Sequence, residues 1–143
     1  MSALRYSASR AIAAPASIVW SILTDRELLA SGHFGIARLD GDLRAGGKLS
    51  LVSQLVPNRT FKLKVTQFEP ERLMVWQGGM PFGLFTGTRR FALSEATEGT
   101  QFDVEEVFTG AMAGMISKNM PDLQPSFDQF ADTLKTMAEE QAS

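Results

Sequence analysis

Arg89 and Glu106 carry the clearest chemical signal in this sequence. From residue 84 to 93 the chain alternates. Phe85, Gly87, Arg89, Phe91 and Leu93 fall on one face of a strand; Leu84, Thr86, Thr88, Arg90 and Ala92 fall on the other. A second alternation, from 100 to 109, sets Phe102, Val104, Glu106 and Phe108 against Asp103, Glu105 and Val107. Closing the two as a hairpin with Leu93 opposite Phe102 puts Phe91 opposite Val104 and Arg89 opposite Glu106. Opposed residues on one face have Cβ atoms ~4.5–5.5 Å apart, within reach of an arginine–carboxylate pair. Such a pair in a cavity wall could hold a carboxylate, phosphate or enolate oxygen on Arg89, with Glu106 orienting the guanidinium. Glu106 as a general base is disfavoured by the positive charge beside it. The same two residues also read as a structural ion pair, or as charged heads reaching solvent from buried stems.

Trp76 is the second candidate. A turn at Glu69 to Arg72 sets Val65 opposite Trp76 and puts the indole on the same inner face, where its N–H would need a partner. Methionines and phenylalanines form a third group: Met80, Phe82 and Phe85 in or beside the Gly-rich run Gly78 to Gly83, and Met112, Met115 and Met120 before the last helix. Methionine adapts its shape, which suits a loosely selective pocket and equally a seal between helix and sheet. His33 is the one histidine, with Ser31 and Asp40 near it in sequence. Nothing there supplies a nucleophile elbow, so a catalytic triad is a poor reading. Gly46-Gly47 reads as a turn and lacks a phosphate-loop pattern.

These side chains need elements to hold them. Leu4 to Ile12 reads as a first strand. Pro15 fits the first position of a helix with an apolar stripe at Ile18, Val19, Ile22 and Leu23. Asp25 can cap a second short helix with Leu28 and Leu29, ended by Gly32. Strands are expected near Phe34 to Leu39, at Leu49 to Leu55, at Phe61 to Val65 after a turn at Pro57-Asn58, and at Leu73 to Trp76. Leu84 to Leu93 and Thr100 to Thr109 follow, joined by a turn over residues 95–99. The tail returns to helix, with Leu123, Phe127, Phe130, Leu134 and Met137 on one face and Pro125 in its first turn. So long an amphipathic helix has one large partner, the apolar face of the sheet. The expected class is α+β, about seven antiparallel strands curved around the C-terminal helix, with two short helices after the first strand.

The composition suits one domain over residues 1–143. Fourteen basic and sixteen acidic side chains are scattered, which argues against nucleic-acid binding. Without cysteine there is no disulfide, thiol catalysis or Cys/His zinc site. No apolar run reaches the length of a membrane span, and residues 1–10 lack a signal-peptide core, so a cytoplasmic location is expected.

The order of these segments resembles the START-like (SRPBCC) superfamily, the helix-grip fold of pollen allergens, lipid-transfer domains and polyketide cyclase/dehydrase-like proteins. The likeness rests on Ile12-Ala13-Ala14-Pro15 leading to Val19-Trp20 and Leu23-Thr24-Asp25, and on Gly46-Gly47-Lys48-Leu49. Phe68 to Leu73 with Trp76 also matches, as do Gly99-Thr100 before Glu106, Phe108 and Gly110, and Leu134-Lys135 with Ala138-Glu139. The resemblance spans essentially the whole chain. It implies a cavity between sheet and helix, but the fold carries many functions.

The expected function is binding, or transport, of a small apolar or amphipathic molecule in that cavity. Its expected walls are Trp76, Phe85, Arg89, Phe91, Val104, Glu106, Met112, Met115, Met120, Phe127, Phe130 and Leu134. Catalysis of a cyclase/dehydratase kind, with Arg89 and Glu106 assisting and no metal or nucleotide cofactor, is the alternative. A module resembling activators of a heat-shock ATPase is the second. The sequence leaves a homodimer open.

Overall fold

The computed structural model describes residues 4–143. Seven antiparallel strands form one curved sheet in the order β1-β7-β6-β5-β4-β3-β2. They are β1 (Leu4–Ile12), β2 (Ile36–Gly41), β3 (Lys48–Ser53), β4 (Val56–Glu69), β5 (Leu73–Met80), β6 (Phe85–Ala96) and β7 (Gly99–Thr109). Each consecutive pair from β2 onward is a hairpin. Only β1 leaves its sequence neighbours and pairs with β7.

Among the described residues there are four α-helices, α1 (Ala16–Leu23), α2 (Arg26–Leu29), α3 (Ala113–Ser117) and α4 (Gln124–Ala142), and a single 3-10 turn at Pro81–Gly83. α1 starts after Pro15, which sits at the N-cap and not inside the first turn. It buries Val19, Trp20, Ile22 and Leu23, while Ile18 stays half-buried. The Asp25 side chain accepts from the Leu28 N–H at 3.1 Å and so caps α2. α2 ends at Leu29, before Gly32, whose positive φ lies in the turn beyond. Nineteen-residue α4 has Pro125 in its first turn and buries Phe127, Phe130, Ala131, Leu134 and Ala138 against the concave face of the sheet. Each large apolar side chain removed from water in this way contributes about 1.5–3 kcal/mol.

Several boundaries differ from those the sequence suggests. Pro57 and Asn58 lie inside β4, and the turn is the two-residue Gln54-Leu55, because Ser53 pairs directly with Val56. The expected strand near Phe34 begins two residues later, at Ile36. β5 runs on through Gly78 and Gly79 to Met80, since both glycines keep their ladder partners in β6. A Cβ on Gly79 would meet the Phe85 carbonyl oxygen at 2.0 Å, so the strands can close there only without a side chain. The β6–β7 turn is only Thr97-Glu98, as Ala96 pairs with Gly99. Helix α3 falls in the Met-rich segment, where no periodicity announced it.

The long helix is pinned along β1 by polar contacts at its rim. Gln124 donates to the Ser7 carbonyl (2.7 Å), Arg10 Nε to Asp132 (2.7 Å) and Lys135 to the Ala11 carbonyl (2.6 Å), and Glu139 accepts from the Ala13 N–H (2.9 Å). On its other flank, Thr133 and Gln129 donate to the His33 carbonyl. Among the described residues no helix is long and apolar enough to cross a membrane.

Candidate functional site

The hairpin of β6 and β7 brings Phe91 opposite Val104, Leu93 opposite Phe102 and Arg89 opposite Glu106. β1 adds Tyr6 opposite Glu106, and β5 adds Trp76 opposite Arg89, with Val65 of β4 beyond it. One cross-strand row therefore reads Tyr6, Glu106, Arg89, Trp76, Val65. Because side chains on successive strands at one level share a face, this row lines the concave side up beneath α4.

The Arg89 guanidinium donates through Nε (2.9 Å) and Nη2 (2.6 Å) to one oxygen, Oε1 of Glu106. Its Nη1 has no protein acceptor among the described residues. The two side chains are 22% and 13% exposed, so the pair is sheltered without being sealed off. The guanidinium carbon stands 4.8 Å above the Phe127 ring of α4, a cation–π contact that orients it. Tyr6 stacks on the other side of this aromatic edge, 6.0 Å from Phe127 and 6.4 Å from Phe108 between ring centres. Gly87 makes room here: a Cβ at that position would lie 3.0 Å from the Phe108 ring and 3.1 Å from Glu106 Oε2.

Beside the pair lies a partly open cleft lined by Arg89, Phe91 and Val104 from the sheet and Phe127 and Phe130 from α4. Phe34, Gly35, Ile36, Leu51, Ser53 and Ser126 close its other sides. Its volume is about 30 Å³. A water needs ~10–15 Å³, so the cleft has room for about two. Between sheet and α4, the cavity expected from the sequence corresponds to this small cleft. Aromatic rings fill the space: Phe130 lies 5.0 Å from Phe34, 5.7 Å from Phe91 and 6.2 Å from Phe102, centre to centre. Trp76 packs edge-on to Phe91 at 4.7 Å. At 1% exposure, its indole N–H is buried with no hydrogen-bond partner among the described residues, which is unusual for a polar group inside a protein.

Of the expected wall residues, Arg89, Phe91, Val104, Phe127 and Phe130 border the cleft, and Glu106 holds Arg89 from behind. Trp76 and Leu134 are buried in the core and do not line it. Phe85 stacks flat on Phe108 at 5.4 Å, toward the end of the sheet. Met112 and Met120 are half-buried away from the cleft, and Met115 is exposed on α3. Tyr6 escaped notice because its side chain joins the site only through the β1–β7 pairing. Ser53 and Ser126 carried no sequence signal. The Ser31, His33 and Asp40 side chains form no catalytic group: Ser31 donates to the Leu28 carbonyl, Asp40 pairs with Arg38 at 2.6 Å, and His33 is exposed. No group of three or more His, Cys, Asp or Glu side chains converges as a metal site among the described residues.

Over residues 3–139 the sequence matches the family described as polyketide cyclase / dehydrase and lipid transport, and the chain belongs to that family. No curated protein is detectably similar in sequence. Among solved structures, an aromatase/cyclase from Streptomyces sp. R1128 superposes with a TM-score of 0.73 at 12% identity, covering 99% of this chain and 96% of that one. A protein from Mesorhizobium loti superposes at 0.73 with 15% identity, over 96% and 98%. The di-domain ARO/CYC of the steffimycin biosynthetic pathway gives 0.76 at 14% identity, over 98% of this chain and 52% of its own length. At such identities the likeness is one of fold: a START-like, helix-grip arrangement of seven strands around a C-terminal helix.

Proposed function

We propose that this chain, as one domain over residues 1–143, binds a small amphipathic molecule. Its acceptor or anionic oxygen would meet Arg89, and its apolar body would lie against Phe91, Phe127 and Phe130. The observation that carries the reading is that Nη1 of a sheltered guanidinium, bordering an apolar cleft, has no acceptor among the described residues. Glu106 and the Phe127 ring hold that guanidinium in place, so little side-chain entropy is lost when a ligand meets it. The small volume limits the ligand. Anything larger than a water or two has to displace the rings of Phe127 and Phe130 or move the first turns of α4. A bulky resident lipid fits poorly with such packing, and a compact amphiphile fits better. The family's description, which joins cyclase/dehydrase with lipid transport, supports a ligand of this kind.

Titration with anilinonaphthalene sulfonate, a compact amphiphile with one anionic group, tests the reading. Saturable binding should weaken about tenfold in Arg89→Gln, the loss of one charge-assisted hydrogen bond. Absence of saturable binding, or binding indifferent to Arg89, sinks it. The placement of Tyr6 opposite Glu106 favours one second reading, a cyclase/dehydratase-like reaction with Arg89 steadying an enolate oxygen. Turnover of a poly-β-ketone substrate that survives both Arg89→Gln and Glu106→Gln would exclude it.

A further inference from the structure

The five large apolar side chains that stand exposed among the described residues are Leu55, Met80, Phe82, Leu84 and Met115. In sequence they are scattered over sixty positions, yet the strand register brings all of them to one end of the sheet. Ser53 pairs with Val56, Met80 with Phe85 and Thr86 with Thr109, so the β3–β4 turn, the β5–β6 connection and the segment after β7 share that end. The Met112 N–H donates to the Leu84 carbonyl at 2.8 Å and ties two of these segments together. Phe82 is the extreme case. It is 96% exposed, and its φ of +62° is a left-handed conformation costly for a bulky residue. An exposed apolar cluster of this kind marks a docking surface.

Charge says what it meets. Residues 54–64, 78–94 and 107–121 contain no aspartate or glutamate, while Arg59 and Lys118 lie in the same segments as Leu55 and Met115. The next acid, Asp122, accepts from the Gln124 N–H at 3.0 Å at the start of α4 and keeps its charge. Acidic side chains outnumber basic ones at the opposite end: Glu69 and Glu71 at the β4–β5 turn, Glu95 and Glu98 at the β6–β7 turn, and Glu139 and Glu140 at the end of α4, of which Glu69 faces Arg72 and Glu139 faces Lys135. The molecule is therefore apolar and basic at one end and acidic at the other. Ile36 and Ser53, paired at the start of β2, border the cleft, so the cleft reaches toward the same end.

We infer that this end docks on an anionic lipid surface. Phe82, Leu84 and Met115 enter the headgroup–acyl boundary, while Arg59 and Lys118 lie against the anionic headgroups. Docked in this way, the protein turns the cleft toward the bilayer and its acidic end toward water. A second copy of the chain fits less well, since two apolar ends meeting face to face would bring basic side chains together.

Co-sedimentation of the full chain with vesicles tests this. Binding is expected to phosphatidylglycerol/phosphatidylcholine vesicles, to fall with added salt, and to be much weaker on phosphatidylcholine alone. The double variant F82S/M115S should bind about tenfold or more weakly, and R59Q about fivefold. Both should melt like the parent, because the altered side chains are exposed. Failure to sediment with anionic vesicles overturns the inference. So does sedimentation unchanged in F82S/M115S, or a concentration-dependent dimer that the same variant abolishes. An Arg89→Gln chain that loses the amphiphile but still sediments would show that the surface stands apart from the cleft.

Discussion

Arg89 reaches across from β6 to place both Nε and Nη2 on a single oxygen of Glu106, 2.9 and 2.6 Å away, while the Phe127 ring lies under the guanidinium. A side-on pair of this kind leaves one guanidinium nitrogen and one carboxylate oxygen uncommitted. It is partly sheltered, so each charge relies on the other more than a surface pair does and less than a fully buried one.

Breaking the pair from one side should therefore cost more than removing it altogether. Arg89→Met leaves the Glu106 carboxylate without its partner, an expected loss of about 1–2 kcal/mol after allowing for remaining solvent access. Arg89→Met with Glu106→Leu should recover most of that loss. Urea unfolding of the two single variants and the double variant gives the coupling. Additive losses would show that the two charges do not depend on each other.

Trp76→Phe carries an unusual expectation. It removes a buried N–H that has no partner, a relief that offsets the lost ring volume, so stability should change by no more than about 1 kcal/mol. Trp76→Ala deletes the packing against Phe91 as well and should cost about 3–5 kcal/mol. Equal and large losses in both would mean that the indole nitrogen is satisfied in solution.

Phe130 plugs the interior, touching Phe34, Phe91 and Phe102 at once. Phe130→Ala should destabilise the fold by about 3–5 kcal/mol. The same change should widen the cleft and tighten binding of the naphthalene probe. Calorimetry for stability and fluorescence titration for binding separate the two effects. A weaker probe affinity in a folded variant would show that the Phe130 ring holds the probe and does not obstruct it.

The rim of α4 is a source of acid sensitivity. The hydrogen bond from Arg10, and then its charge, holds the Asp132 carboxyl below its ordinary 3.8. Glu139 is held below 4.5, first by the Ala13 N–H and then by Lys135. Folded values below unfolded ones mean that these contacts contribute in full above pH ~4.5 and are lost as pH falls through the lowered values. Hydrogen exchange in α4 should therefore stay constant from pH 7 to 5, after correction for intrinsic rates, and rise only below about 4. Asp132→Asn should flatten that rise. An onset near pH 6 would point to another group.

Period-two alternation in adjacent segments already sets Arg89 against Glu106 and Val65 against Trp76, and the spacing of Phe127, Phe130 and Leu134 already marks the face that α4 buries. Both patterns are local, since a one-residue slip would turn every inner side chain outward, yet the β4–β5 ladder itself shifts by one residue between Val65 and Gln67, an irregularity that alternation does not mark. The pairing of β1 with β7, which brings Tyr6 to Glu106, spans about a hundred residues and has no local mark. Nor does alternation say how much room a curled sheet leaves under a helix. That depended on Phe130 meeting three rings from separate elements, and the packing reduced an expected cavity to a cleft for about two waters. Single exposed apolar residues at 55, 82 and 115 likewise meant little in isolation. Only the register of the assembled sheet gathered them at one end.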